Sequence, residues 1–210
     1  MRIILGFFAL LISLFGCSKG EGSSANTYYF KANVNGQPLE WKFRADKKSE
    51  YEAACPTLGG SLPFYDCRQG QLSYQGREGT SIAKRQEGII DTNSIEVSFV
   101  QSYDLPFSKE EVRSKFTNGS KNFGLMRLKC SDPVVNGIVI IYIDAKGNVW
   151  NSSFGDQSGN TFEQVSLTAN KGNGYNAKNW LVRFSGKLYD KFGNSIPVSD
   201  GEIYGPVFLP

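Results

Sequence analysis

The sequence predicts an all-β protein: an antiparallel β-sandwich, or a sandwich-like barrel, of about nine to eleven strands with one short helix. Three observations predict it. Apolar and polar residues alternate with a period of two in several separate segments. The turn pattern Asp-x-x-Gly-Asn recurs in the last third, at 144–148, 156–160 and 190–194. Aromatic residues make up 13% of the chain, a composition that suits the pleated, half-buried surface of a sheet.

The first element is a hairpin centred on Asn35-Gly36, the strongest short-range hairpin signal. Pairing across a two-residue turn sets Val34 opposite Gln37, Ala32 opposite Leu39, Phe30 opposite Trp41 and Tyr28 opposite Phe43 on one face. The other face sets Lys31 against Glu40, a favourable cross-strand charge pair, beside Asn33 and Lys42. Residues 46–70 read as an irregular insertion, a place for a functional loop. Short strands are expected at 71–74 and 80–84, and Ile95, Val97 and Phe99 alternate with Glu96 and Ser98 in a half-buried strand. Ser108-Lys109-Glu110-Glu111 is a capping box, and Phe107 can staple against Val112. A helix over 109–117 follows, with Val112 and Phe116 turned to the sheet.

The segment 137–143 is apolar on both faces and reads as a central strand. In each Asp-x-x-Gly-Asn segment the aspartate can cap the turn's amides while glycine takes positive φ without penalty. The pattern predicts three hairpins, pairing Tyr142 with Trp150, Phe154 with Phe162, and Leu188 with Ile196. Asp200-Gly201 is expected to be one further tight turn, returning the chain through Ile203 and Val207. Carboxylate, amide and backbone oxygens are also the ligands of calcium. The segments lack the alternating oxygen side chains and the distal bidentate glutamate of an EF-hand, so no metal site is expected in them; one assembled from separate loops stays open.

Composition excludes several functions. The chain contains no histidine, so a Ser-His-Asp or Cys-His device and an imidazole zinc site are ruled out. Lys and Arg number 23 against 20 Asp and Glu. The basic residues are scattered rather than gathered in a stripe, so no nucleic-acid partner is implied. Nor do the glycines follow a strand in a phosphate-binding arrangement, and no cofactor is expected.

Met1-Arg2, an apolar run from Ile3 to Phe15 and the closing Leu14-Phe15-Gly16-Cys17 resemble a bacterial lipoprotein signal. The run is shorter than the ~20 residues a membrane-spanning helix needs, and fits the hydrophobic region of a signal peptide. The resemblance implies removal of residues 1–16 and acylation of Cys17 with palmitate-type chains, which anchor the protein to a membrane. The alternative is an ordinary secretory signal with Cys17 a bystander. Residues 17–26 then form a Gly/Ser-rich tether, and 27–210 a single β-sandwich domain. Three further cysteines, Cys55, Cys67 and Cys130, allow one intrachain disulfide in three pairings. The turn-forming residues between Cys55 and Cys67 favour that pair, which would contribute roughly 3 kcal/mol in the chain-entropy account; three reduced cysteines are the alternative.

Further segments resemble the small Bacteroidetes-type lipoproteins with an all-β domain. They are Phe30 to Gly36 followed by Trp41, Tyr142 to Asn148 with Asp156 to Gly159, and Phe184 to Asp190 leading to Asp200-Gly201. No catalytic residues come with that resemblance. A serine such as Ser18 after the lipidated cysteine resembles the pattern that permits outer-membrane sorting, with the periplasmic and cell-surface faces both open.

Candidate binding residues are few. The amide-dense loop 170–179 offers Asn173, Asn176 and Tyr175, groups that suit sugar hydroxyls and a stacking face; a solvated hairpin connection is the alternative. Trp41 and Trp180 read as core. Trp150 lies among polar neighbours and reads as a rim aromatic or as core. No acid stands out as catalytic. The expected function is a non-enzymatic envelope binding module for a glycan or an envelope partner. The alternatives are a carboxylate-dependent hydrolase of an envelope polymer and a β-strand-mediated assembly subunit.

Overall fold

A computed structural model describes residues 27–44, 63–65, 72–83, 93–104, 108–125, 135–170 and 177–209. Their elements run in the order β1 (Thr27–Val34), β2 (Gln37–Arg44), β3 (Pro63–Tyr65), β4 (Leu72–Ala83), β5 (Ser94–Asp104), α1 (Lys109–Ser114), β6 (Gly119–Ser120), β7 (Gly137–Ile143), β8 (Val149–Asn151), a 3-10 turn at Ser152–Phe154, β9 (Thr161–Ala169), β10 (Ala177–Tyr189) and β11 (Ser195–Phe208). The fold is all-β and sandwich-like. Every strand pair is antiparallel.

The β1–β2 hairpin has the register that Asn35-Gly36 dictates, with Phe30 opposite Trp41 and Lys31 opposite Glu40. Both turn residues take positive φ, 50° and 77°, the geometry whose twist matches the flanking strands. One prediction on this hairpin fails. The Lys31 ammonium does not settle on Glu40; it binds Glu202 of β11 at 2.9 Å, while Glu40 pairs with Lys42 of its own strand at 2.7 Å. A buried acid on the third strand offers a less hydrated partner than an exposed one.

The two short strands expected at 71–74 and 80–84 are one twelve-residue strand, β4. The ladder to β5 runs through Gly76 and Gly79, which lie opposite Gln101 and Ser98. The serine half of the predicted capping box is formed at α1, Ser108 Oγ accepting from the Glu111 amide at 3.0 Å. The helix is one turn shorter than 109–117, yet Val112 and Phe116 are both buried.

The sheet forks at β10. One edge of β10 pairs with β11, whose far side continues through β1 to β2. The other edge pairs with β9 as far as Ser185 and with β8 at Tyr189. From β8 the order continues through β7, β5 and β4 to β3, so the chain of neighbours turns a corner and a second layer forms. A second seam closes the gap. β6 pairs with β9, and the residues after it pair with the start of β7, Ile138 N donating to Asn122 O at 2.8 Å and Gly124 N to Ile138 O at 2.9 Å. This approach requires glycine: a Cβ on Gly124 would stand 2.7 Å from Gly137 N, and one on Gly137 would stand 2.5 Å from Asn122 O.

Inward-facing residues of both layers form one core, with Phe30, Trp41, Ile95, Val97, Ile138, Ile140, Phe162, Trp180, Val182, Phe184 and Ile203 among its members. Rings meet across it, Phe30 on Trp41 at 4.9 Å and Phe116 on Trp180 at 5.5 Å. Trp41 and Trp180 are therefore core, as their alternation implied.

Two predicted turns differ. Asp200-Gly201 is not a turn: β11 runs through it, and an extra residue there makes a bulge seen by both neighbours. Asp200 takes φ 53°, a left-handed conformation that a short polar side chain tolerates. The pattern at 156–160 closes no hairpin, because Phe154 ends the 3-10 turn and β9 pairs with β10 and β6 instead.

Gly201 is where the bulge meets the core. A Cβ there would stand 2.6 Å from the Phe184 ring, and that ring is stacked on Phe162 at 6.5 Å. Gly201→Ala is expected to destabilise the protein by about 1–3 kcal/mol through overpacking, read as a lower urea midpoint at unchanged m-value.

Candidate functional site

Two of the aspartate turns share one geometry. In 144–148, Asp144 Oδ1 accepts from the Lys146 and Asn148 amides, both at 2.9 Å, and Oδ2 accepts from Asn148 Nδ2 at 2.8 Å. In 190–194, Asp190 Oδ1 accepts from the Phe192 and Asn194 amides at 2.9 and 2.8 Å, and Oδ2 from Asn194 Nδ2 at 2.7 Å. Burial raises the Asp144 pKa, but the bonds from Asn148 and Lys146 outweigh it and the net shift is downward. Asp190 is shifted downward too, chiefly by Asn194. Both carboxylates stay ionised and occupied by their own turns, which stiffens the two loop tips.

The fork sets these tips side by side, since Asn151 of β8 lies opposite Tyr189 of β10. Between them is a cleft of about 720 Å³ lined by Gly147, Asn148, Val149, Trp150, Phe154, Asp190, Lys191 and Phe192. Its apolar lining is unusual in being open to solvent: Phe192 is 78% exposed, Val149 44% and Phe154 38%. Trp150 is half-buried, packs on the core with its inner part and aims Nε1 at Asp144 Oδ2, 3.4 Å away. The Lys191 ammonium lies 4.9 Å from the Phe192 ring centroid. Aromatic rings ringed by an amide, a carboxylate and an ammonium can take the apolar face of a polar ligand and orient its hydroxyls.

The third aspartate segment closes no hairpin, and its Asn160 lines a separate concavity. Asp156 accepts from the Ser158 amide and hydroxyl, leaving Asn160 free for another task. Asn160 Oδ1 accepts from the Lys187 amide at 3.0 Å, and its Nδ2 reaches Lys187 O at 3.3 Å. Lys187 lies in the gap between the β9 and β8 pairings, so this side-chain amide stands in for a strand. Gly186 makes room, since a Cβ there would fall 2.2 Å from Asn160 Cγ. Where β8 leaves β7, Ser152 Oγ does the same work and accepts from the buried Ile140 amide at 3.0 Å.

A second concavity lies on the outer face of the sheet. It is a groove of about 630 Å³ whose walls include Lys31, Lys121, Asn122, Asn160, Glu163, Arg183, Asp200 and Glu202. Strand register places Lys31, Glu202, Arg183 and Glu163 in one cross-strand row of alternating charge. At its centre Glu202 is only 8% exposed. Its Oε1 accepts from Tyr29 Oη at 2.7 Å and from Lys31 Nζ at 2.9 Å, and its Oε2 from Arg183 Nε at 2.7 Å. Burial pushes its pKa up, but the bonds from Arg183, Tyr29 and Lys31 prevail and bring it down to about 2. Tyr29 is pushed up to about 12, first by burial and then by its bond to this carboxylate.

Of the sequence candidates, Trp150 is in the aromatic cleft. Tyr175, Asn173, Asn176, Cys17, Cys55 and Cys67 lie outside the described residues, as do residues 1–26. Sequence reading missed Phe154, Phe192 and Glu202. Phe192 carries a signal, a large apolar residue at the tip of a turn whose other residues are polar. Glu202 carries none that local pattern can show, because its three donors come from two other strands. Among the described residues no three His, Cys, Asp or Glu side chains converge to hold a metal ion, and no helix is long and apolar enough to cross a membrane. No protein-family model, curated protein or solved structure matches the chain.

Because the Glu202 pKa is lower folded than its usual 4.5, its contribution is complete above about 4.5 and is lost as pH falls towards 2. The linkage amounts to about 3 kcal/mol. Glu202→Gln is expected to lower stability by up to that amount at neutral pH and to flatten the acid limb, measured by urea unfolding in a pH series.

Proposed function

We propose that this protein is a lipid-anchored, non-enzymatic recognition module of the bacterial cell envelope, and that it binds a glycan in the cleft between the 144–148 and 190–194 turns. The carrying observation is a cleft between the two aspartate turns lined by half-buried Trp150 and by exposed Phe154 and Phe192. An exposed apolar cluster framed by polar groups marks an interaction site, and its mixed lining suits a ligand with apolar faces and hydroxyl edges.

The position of the cleft supports an anchored receptor. The chain enters β1 at Thr27, and β1 runs antiparallel to β11, with Asn35 N bonded to Pro197 O at 2.8 Å. Thr27 and the tip at Phe192 therefore lie at opposite ends of the sheet, on the order of 30 Å apart at the rise of a strand. A domain held by acylated Cys17 through residues 17–26 would keep its cleft away from its own membrane. The outer membrane is the proposed location, on the Ser18 pattern.

Two observations favour recognition over the alternatives. Among the described residues, the carboxyl groups with displaced ionisation, Glu40, Asp144, Asp156, Asp190 and Glu202, are all displaced downward, whereas a general acid needs a raised pKa. Strand β2 exposes Pro38, Glu40 and Lys42, residues that discourage addition of another strand.

Phe192→Ala should leave stability within about 0.5 kcal/mol, as expected for an exposed site, and weaken binding to the recognised polysaccharide by about tenfold or more. Affinity electrophoresis against a panel of neutral and acidic polysaccharides checks it. Binding undiminished in both Phe192→Ala and Trp150→Ala would remove the cleft from the account.

A further inference from the structure

We infer that the ligand is an extended, uncharged glycan chain that crosses the outer face of β10, with the aromatic cleft and the charged groove as two subsites of one site. This rests on the glycan reading above. The two concavities flank one turn: Phe154 lines the cleft, Asn160 lines the groove, and the segment between them is bonded to β10. Tyr189 Oη donates to Asp156 O at 2.8 Å, Gly155 sits against the Tyr189 ring, and Asn160 grips Lys187. The turn is thus bound down along its length. From Ser185 in the groove to Asp190 in the cleft is roughly 17 Å at strand rise, so one small sugar cannot occupy both.

The chemistry of the groove complements that of the cleft. Its charges balance, Lys31, Lys121 and Arg183 against Glu163, Asp200 and Glu202, which gives a polyanion or polycation no net attraction. Donors and acceptors instead alternate across the strands, and a hydroxyl, which donates and accepts together, matches such a row. Glu202 acts as a positioning residue. It fixes Arg183 through Nε alone, which leaves the terminal guanidinium nitrogens directed away from that bond. The cleft would take sugar faces by contact with rings, and the groove would read hydroxyl edges by hydrogen bonds.

Two linked subsites multiply affinity, by about 10²–10⁴ when the connecting chain spans them. The test uses the full chain in mild detergent, the polysaccharide that binds best in the panel, and its own oligosaccharides from the disaccharide upward, measured by calorimetry. Affinity should rise by about a hundredfold or more once the oligosaccharide is long enough to reach both subsites. The double variant Asn122→Ala with Glu163→Gln should abolish that rise while leaving disaccharide binding intact, whereas Phe192→Ala should weaken every length. Long and short ligands binding alike, or a double variant that keeps the length dependence, would overturn the two-subsite inference and leave the cleft standing. Absence of binding to every polysaccharide would overturn the glycan reading and this inference with it.

Discussion

The arrangement of this protein depends on one constraint, that β10 must serve two partners along a single edge. It gives that edge first to β9 and then to β8, and the residue between, Lys187, would be left with an unpaired amide and carbonyl. Leaving backbone polar groups unmet costs about as much as a lost hydrogen bond. The Asn160 side chain meets both. Through that substitution the sheet turns a corner, the second layer packs over Phe162, Phe184 and Trp180, and the two aspartate turns come to stand together. The aromatic cleft is a product of the fork.

The outer face obeys a different logic. A carboxylate as enclosed as Glu202 is stable only with full compensation, and it receives a donor from β1's Tyr29, another from Lys31 and a third from Arg183 of β10. Three strands are tied at one point, beside the bulge at Asp200-Gly201. The tie also holds two cations half in water at the floor of a groove. Stability and surface chemistry are therefore set by the same bonds, and a change in either is felt in both.

Much of the fold was legible in the sequence because it is written locally. Asn35-Gly36 fixed a whole register, Ser108 to Glu111 fixed a helix start, and the turns at 144 and 190 behave as their residues require. Where the reading failed, a distant group had intervened. The 156–160 segment has the same five-residue pattern as the other two, but Ser158 satisfies Asp156 and releases Asn160 to Lys187, far along the chain. Asp200-Gly201 has turn chemistry, yet neighbours on both sides hold β11 extended and convert it to a bulge. Lys31 faced Glu40 as its register demands and still chose Glu202. The site was half legible for the same reason: Trp150 stood out among polar neighbours, while its meeting with Phe154 and Phe192 depends on the fork.

Trp150 can report directly on ligand in the cleft, because Trp41 and Trp180 are buried and only Trp150 borders it. Tryptophan fluorescence is followed while the bound polysaccharide is titrated into the protein and into Trp150→Phe. A saturable emission change is expected in the parent chain and should disappear in Trp150→Phe, with binding retained in weakened form. An emission change that persists in Trp150→Phe, or full binding with no change in the parent, would place the ligand elsewhere and contradict binding in the cleft.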